Sequence, residues 1–134
     1  MALQIQQRDR EGIAILDLDG RIIVGEHAAA LRDKLRELIA ASQTRILLNL
    51  AAVDFIDSTG LGALVVGHTG LKKLGGRLAL ENLNDRNIEL LVLTKLSTIF
   101  DVFDDEQQAI NSFFPDREIQ KFDILNFVRE QSGE

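Results

Sequence analysis

The feature that most constrains the fold is a nearly unbroken apolar run at residues 46–50, which read Ile-Leu-Leu-Asn-Leu. A strand with one solvated face alternates apolar and polar residues, whereas a run of this kind is typical of a central strand covered on both faces. A helical pattern follows from about residue 58 to residue 74, and Gly75 and Gly76 stop it. We therefore expect a buried strand that is followed closely by a helix.

Further strands and helices are predicted on both sides of this strand–helix pair. An edge strand is predicted at residues 3–9, and Asp19-Gly20 is a turn signal between two further strands at residues 13–18 and 21–24. The other predicted elements are helices at residues 26–41 and 85–93, strands at 77–80 and 99–103, and a helix opened by the acids at 104–106. Strands that alternate with helices imply a mostly parallel sheet. The predicted fold class is α/β, with four to five strands in a mixed, mostly parallel β-sheet and about four α-helices.

The C-terminal segment is predicted to add one more helix. Pro115 interrupts the preceding pattern. Four apolar residues beyond it favour a helix: Ile119, Phe122, Leu125 and Val128. Because so short a tail stays near the point where it leaves the core, we predict a domain at residues 1–114 and a helical extension at residues 115–134 packed on the same domain.

Charge and composition exclude several classes of partner. The chain has 21 acidic and 15 basic residues, a net charge of -6, so it repels phosphate backbones and argues against direct nucleic-acid binding. No window approaches the roughly 18 apolar residues of a membrane span, and the N-terminus lacks the apolar core of a signal peptide. The absence of cysteine excludes thiol catalysis, disulfides and thiolate metal sites. We expect a cytoplasmic protein that does not insert into membranes.

The residues that could carry catalysis do not converge. Ser58 and His68 are predicted on one helix, ten residues apart, which separates them by about 15 Å, too far for a nucleophile and its base. Residues 62–69 nearly match a phosphate-binding loop, but His68 takes the place of the lysine and the segment lies inside the helix. No carboxylates occur with histidine at metal-ligand spacing. We predict no enzyme activity, no cofactor and no metal.

The turn that leads into this helix is the most informative part of the sequence. Ser58 is expected to be the N-cap, with Asp57 adding negative charge at the positive end of the helix. Gly60 and Gly62 are poor helix formers, which favours a partner surface close to the backbone, although close helix packing also explains Gly62. Ser58 and Thr59 place two hydroxyls side by side, and a helix N-terminus tolerates a phosphate.

Residues 57–62, which read Asp-Ser-Thr-Gly-Leu-Gly, resemble the phosphorylation motif of STAS-domain proteins of the bacterial anti-sigma-factor antagonist family. The similarity spans about residues 4–114. It includes the segments at residues 46–50, 75–78, 94–96 and 99–103. The chain departs from the family at residues 20–23, which read Gly-Arg-Ile-Ile where many members have Gly-x-Leu-Asp.

The resemblance implies a single STAS-like domain that works as a partner switch. In such families the antagonist binds an anti-sigma factor that is also a serine kinase and that itself binds ATP. The kinase phosphorylates the motif serine, here Ser58, the complex dissociates, and a phosphatase restores the first state. The implied partner-binding residues are Asp57, Ser58, Thr59, Gly60, Leu61 and Gly62.

Two other functions stay open at this point. The chain could be a STAS-like accessory or scaffold subunit that contacts an ATPase in a transport system or signalling complex without regulatory phosphorylation. The other alternative is a small enzyme. Kinase-dependent phosphate on Ser58 distinguishes the switch from the accessory subunit, and turnover by the isolated protein would indicate the enzyme.

Overall fold

A five-stranded sheet with helices on both faces forms the framework of the protein, as seen in a computed structural model that describes residues 3–133. The strands are β1 (Gln4–Arg10), β2 (Ile13–Ile22), β3 (Arg45–Ile56), β4 (Arg77–Glu81) and β5 (Asp101–Phe103). The helices are α1 (Glu26–Ala40), α2 (Ser58–Lys73), α3 (Asp85–Leu93), α4 (Glu106–Asn111) and α5 (Ile124–Gln131), with a 3-10 turn at Leu96–Thr98. The strand order is β1-β2-β3-β4-β5, antiparallel in the first pair and parallel in the others. The predicted fold class is confirmed.

The larger core lies on one face of the sheet. Alternate residues of the central strands, such as Leu16, Leu48 and Leu80, point to this face and are fully buried. The helix α1 covers them with a side of one alanine and three leucines at helical spacing, and α2 packs beside it. This packing holds the start of α2 against the ends of the central strands.

The opposite face carries a smaller core. Ile15, Leu47, Ala79 and Phe103 alternate with the residues of the first face and pack under α4. The central strand β3 is therefore apolar on both faces over residues 46–48, which is the physical reason for the unbroken apolar run.

The strand β2 differs from the sequence prediction. Two strands separated by a turn at Asp19-Gly20 were expected, but Ile13–Ile22 is one strand of ten residues. Its pairing with β3 shifts register after Asp17 and again after Gly20, whose φ of 125° suits glycine. The extra residue at each shift lies on β3, which continues to Ile56, so the bulged β3 gives β2 a parallel partner beyond the expected turn.

The C-terminal segment packs with a different set of residues than expected. The helix α5 begins at Ile124, and Phe127, at 8% exposure, is its buried residue. The predicted helical residues Ile119 and Phe122 precede the helix in an irregular segment. Leu125 and Val128 are exposed, because the helix turns Phe127 toward the core in their place. The Phe122 N–H donates to the Val102 carbonyl of the edge strand β5 at 2.9 Å. The division of the chain at residue 114 stays a prediction.

Candidate functional site

The junction between β3 and α2 is capped by Asp57. Its backbone is extended, and its Oδ1 accepts from the Gly60 N–H at 2.8 Å. Its Oδ2 accepts from the Val24 N–H, in the β2–α1 loop, at 2.9 Å. The sequence prediction that Ser58 is the N-cap is therefore wrong. The strand β3 runs to Ile56, so Ser58 becomes the first helical residue and the preceding aspartate takes the capping position.

The capping bonds keep the Asp57 carboxylate charged. The Gly60 N–H has the largest effect and lowers the pKa of Asp57 below its ordinary value; desolvation opposes it, and the Val24 N–H lowers the pKa further. A fixed negative charge therefore lies beside Ser58, which is exposed and freed from the capping role.

Gly60 and Leu61, two of the predicted partner-binding residues, face the interior. A Cβ at Gly60 would lie 2.0 Å from the Ile22 carbonyl oxygen, so the first turn of α2 approaches the end of β2 more closely than any side chain allows. Leu61 is 7% exposed and belongs to the larger core. The absence of a side chain at Gly60 is explained by the fold itself, and neither residue offers a partner much surface.

Of the two glycines predicted to bind a partner, Gly62 is the one that faces outward. It is exposed, and a Cβ built on it would meet no atom within 4 Å. Ser58, Gly62 and Val66 recur every four residues and share one side of α2. Val66 is 64% exposed, and Val24, whose N–H binds Asp57, is 66% exposed. We call Val24, Ser58, Gly62 and Val66 the α2 surface.

The residues considered for catalysis remain apart from Ser58. His68 lies ten residues further along the same helix, as predicted, and its ring meets Phe100 edge to face at a centroid distance of 5.4 Å. The near match to a phosphate-binding loop lies inside α2. Gly67 in this segment allows close helix packing, since a Cβ added to it would lie 2.7 Å from Leu35 Cδ1. Gly62 has no such packing role, because an added Cβ would meet no atom within 4 Å.

Two wider properties of the described chain bear on its chemistry. Within residues 3–133, no group of three or more histidines and acids could hold a metal ion. Over the same residues, every helix falls short of the length and apolar character needed to cross a membrane.

A polar cluster on the second face of the sheet, of which Glu81 is the buried member, was missed by the sequence reasoning. Asp17, Asn49 and Glu81 align across β2, β3 and β4, and Asn49 Nδ2 donates to Asp17 Oδ1 at 2.8 Å. Arg8 joins this row to α4, with ion pairs of 2.6 Å to Asp17 and 2.7 Å to Glu106. The sequence contains no signal for it, because the five residues lie on five separate elements.

The cluster favours opposite protonation states for its two glutamates, Glu81 and Glu106. Glu81 is fully buried, and desolvation, with the nearby Glu106 carboxylate, raises its pKa. The hydrogen bonds of Arg8 to Glu106 lower the pKa of Glu106, with a further contribution from Arg10. A neutral Glu81 beside a charged Glu106 is the arrangement that these shifts favour near neutral pH.

Comparison with known proteins places this geometry in context. A model of the STAS domain family matches residues 4–109. The anti-sigma-B factor antagonist of Bacillus subtilis (strain 168) is 36% identical over 102 residues, which cover 76% of this chain and 92% of that protein. An anti-sigma factor antagonist from Mycobacterium paratuberculosis has a similar structure, with a TM-score of 0.74 at 22% identity over 82% of this chain and 92% of that one. The Bacillus cell fate determinant SpoIIAA in the phosphorylated form shares the fold, with a TM-score of 0.64 at 20% identity over 83% of this chain and 98% of that one.

Proposed function

The chain belongs to the STAS-domain family, and from this premise we propose that it is an anti-sigma factor antagonist switched by phosphorylation of Ser58. The relative from Bacillus subtilis, named as such an antagonist, supports the first part. The observation that carries the second part is the exposed Ser58 at the first position of α2, freed from capping by Asp57. The proposed partner is an anti-sigma factor with serine kinase activity, and a phosphatase reverses the modification.

Phosphorylation at this position should disturb the domain little. A phosphoserine adds about -1.5 to -2 charges at neutral pH. The first turn of α2 presents backbone N–H groups and a favourable helix dipole to it, and the exposed Ser58 side chain gives the phosphate access to water. The capping bonds of Asp57 can persist, because they do not involve the Ser58 hydroxyl.

The same phosphate should disturb a partner interface strongly. A partner that covers the α2 surface must desolvate the dianion beside the charged Asp57. The chain offers no lysine or arginine between residues 46 and 71 to neutralise it. A buried unpaired charge costs several kcal/mol, and about 1.4 kcal/mol is a tenfold loss of affinity. We expect phosphorylation or Ser58→Asp to weaken partner binding at least about a hundredfold.

The test is a calorimetric titration of purified anti-sigma factors of the source organism. Unmodified protein, phosphorylated protein, Ser58→Asp and Ser58→Ala are compared, with Thr69→Asp as a control that places the same charge on an exposed residue elsewhere on α2. Ser58→Ala should bind like the unmodified protein and resist release in the presence of ATP. Equal affinity of the phosphorylated and unmodified forms would exclude the switch and favour the accessory or scaffold function.

A further inference from the structure

A groove separates α1 from α2 on the outer side of the helical layer. Leu35 and Ile39 of α1 form one side, and Val66 and Gly70 of α2 form the other. Gly67 allows α1 to approach α2 closely, and Gly70 leaves the groove unfilled because it has no side chain. The result is an apolar groove that opens to solvent.

The charge on the rim of this groove is positive. Arg32 and Arg36, one helical turn apart on α1, are exposed at its edge, and none of the residues that line it is acidic. Arg36 contacts Asp33 at 3.2 Å, but both side chains are about three-quarters exposed, so the pair leaves the arginine available. In a chain of net charge -6, this is a local exception.

The groove is continuous with the surface proposed for the switch. Val66 belongs to both, since it ends the α2 surface and lines the groove. Eight residues of helix separate Ser58 from Val66, a rise of about 12 Å. A partner that covers Ser58 and follows α2 for two turns therefore reaches the groove and its arginines.

We propose that this groove is the second half of the partner-binding surface and receives an apolar side chain of the anti-sigma factor flanked by a carboxylate. The apolar side chain packs between Ile39 and Val66, and the carboxylate pairs with Arg32 and Arg36, whose guanidinium groups suit carboxylate geometry. The inference rests on the proposed function. It adds that binding needs a positive region on α1 that lies apart from the phosphorylated serine.

The test measures association and dissociation rates of the same purified anti-sigma factor at low and high salt. Arg32→Glu/Arg36→Glu should lower the affinity at least tenfold, mainly through slower association at low salt. The control, Lys72→Glu/Lys73→Glu, makes the same charge change on exposed residues at the end of α2 and should change the affinity less than threefold. Similar losses for both pairs would show an effect of overall charge and overturn the proposal, as would no loss for the arginine pair.

A second variant does not depend on charge reversal. Val66→Ser should speed dissociation several-fold, while Leu93→Ser, at an even more exposed position on α3, should leave it unchanged. Identical behaviour of these two variants would overturn the proposal even if the arginine variant did not fold. Ser58→Asp is measured in parallel. Its loss of affinity persists if only the groove proposal is wrong and disappears if the proposed phosphorylation switch is wrong.

Discussion

At the residue scale, one carboxylate connects two separate parts of the site. Asp57 accepts hydrogen bonds from Gly60 in α2 and from Val24 in the β2–α1 loop. It therefore ties Val24 to the first turn of α2, while Ser58 stays free for modification. Capping and switching are divided between two adjacent residues.

Replacing this cap should cost stability. Asp57→Ala removes both acceptors, and we expect a loss of about 1–2 kcal/mol in the free energy of unfolding. Urea denaturation followed by circular dichroism measures it. The control is Asp54→Ala, an exposed aspartate on the preceding strand, which should change stability by less than about 0.5 kcal/mol. Equal losses for both variants would contradict the capping role.

Glu81 should make stability fall as the pH rises through the neutral range. Its pKa is raised in the folded protein, so the folded state keeps a proton that the unfolded state loses above the ordinary glutamate pKa of about 4.3. The stabilisation associated with this proton is present below that pH and declines as the pH rises toward the raised pKa. Glu106 acts at the acid end, where its lowered pKa gives stability that is lost as the pH falls.

Glu81→Gln should remove this decline. The amide stays neutral at every pH, so the free energy of unfolding should vary less than in the wild type between about pH 5 and about pH 8. Denaturant titrations across this range measure it, with the exposed Glu118→Gln as the control. A variant that keeps the full decline would show that another group is responsible.

At the element scale, the first turn of α2 contains two glycines that have different physical causes. Gly60 lies against the Ile22 carbonyl of β2, and this contact with the sheet leaves no room for a side chain. Gly62 faces open space on the α2 surface. One glycine therefore serves the fold, and the other is available to a partner.

Substitution of alanine for each of these two glycines should change the free energy of unfolding in opposite directions. Gly60→Ala forces backbone atoms apart and should destabilise the protein by several kcal/mol, or prevent folding, in the upper range of single substitutions. Gly62→Ala should raise the free energy of unfolding by about 0.5–1 kcal/mol through helix propensity. If the partner packs closely over this turn, Gly62→Ala also weakens binding about tenfold. A Gly62→Ala variant that is more stable and binds equally well would exclude close packing there.

At the scale of the whole molecule, the C-terminal segment partly covers the β5 edge of the sheet. Phe122 donates a backbone hydrogen bond to β5, and Lys121 pairs with Asp101 at 2.8 Å. Phe127 then inserts into the larger core, its ring 6.0 Å from that of Phe122. The segment thus covers backbone groups that an edge strand would otherwise present to another chain.

Deleting residues 116–134 should destabilise the monomer by a few kcal/mol, in line with the loss of buried apolar side chains. Denaturation and light scattering measure stability and mass together. Phe127→Ala should reproduce a large part of the loss, whereas Leu125→Ala, at 62% exposure, should not. If the deletion instead converts a dimer into a stable monomer, the segment serves association between copies.

Local sequence patterns were enough to predict the position of the motif and most of the elements in their order, apart from the continuous β2. The apolar run of β3 and the helical spacing of α2 depend on the period of neighbouring residues, so both could be predicted, as could Ser58 at the start of the helix. The expected cap was wrong by one residue, because the length of β3 depends on its pairing with β2.

Which residues of the motif reach the surface depends on contacts with distant parts of the chain. Gly60 faces a carbonyl of another strand and Leu61 enters the core, so the predicted partner surface is reduced mainly to Asp57, Ser58, Thr59 and Gly62. Tertiary contacts also determine three further features: the continuity of β2, the burial of Glu81 and the groove between α1 and α2. Each depends on contacts between residues far apart in the chain, which the local pattern does not encode.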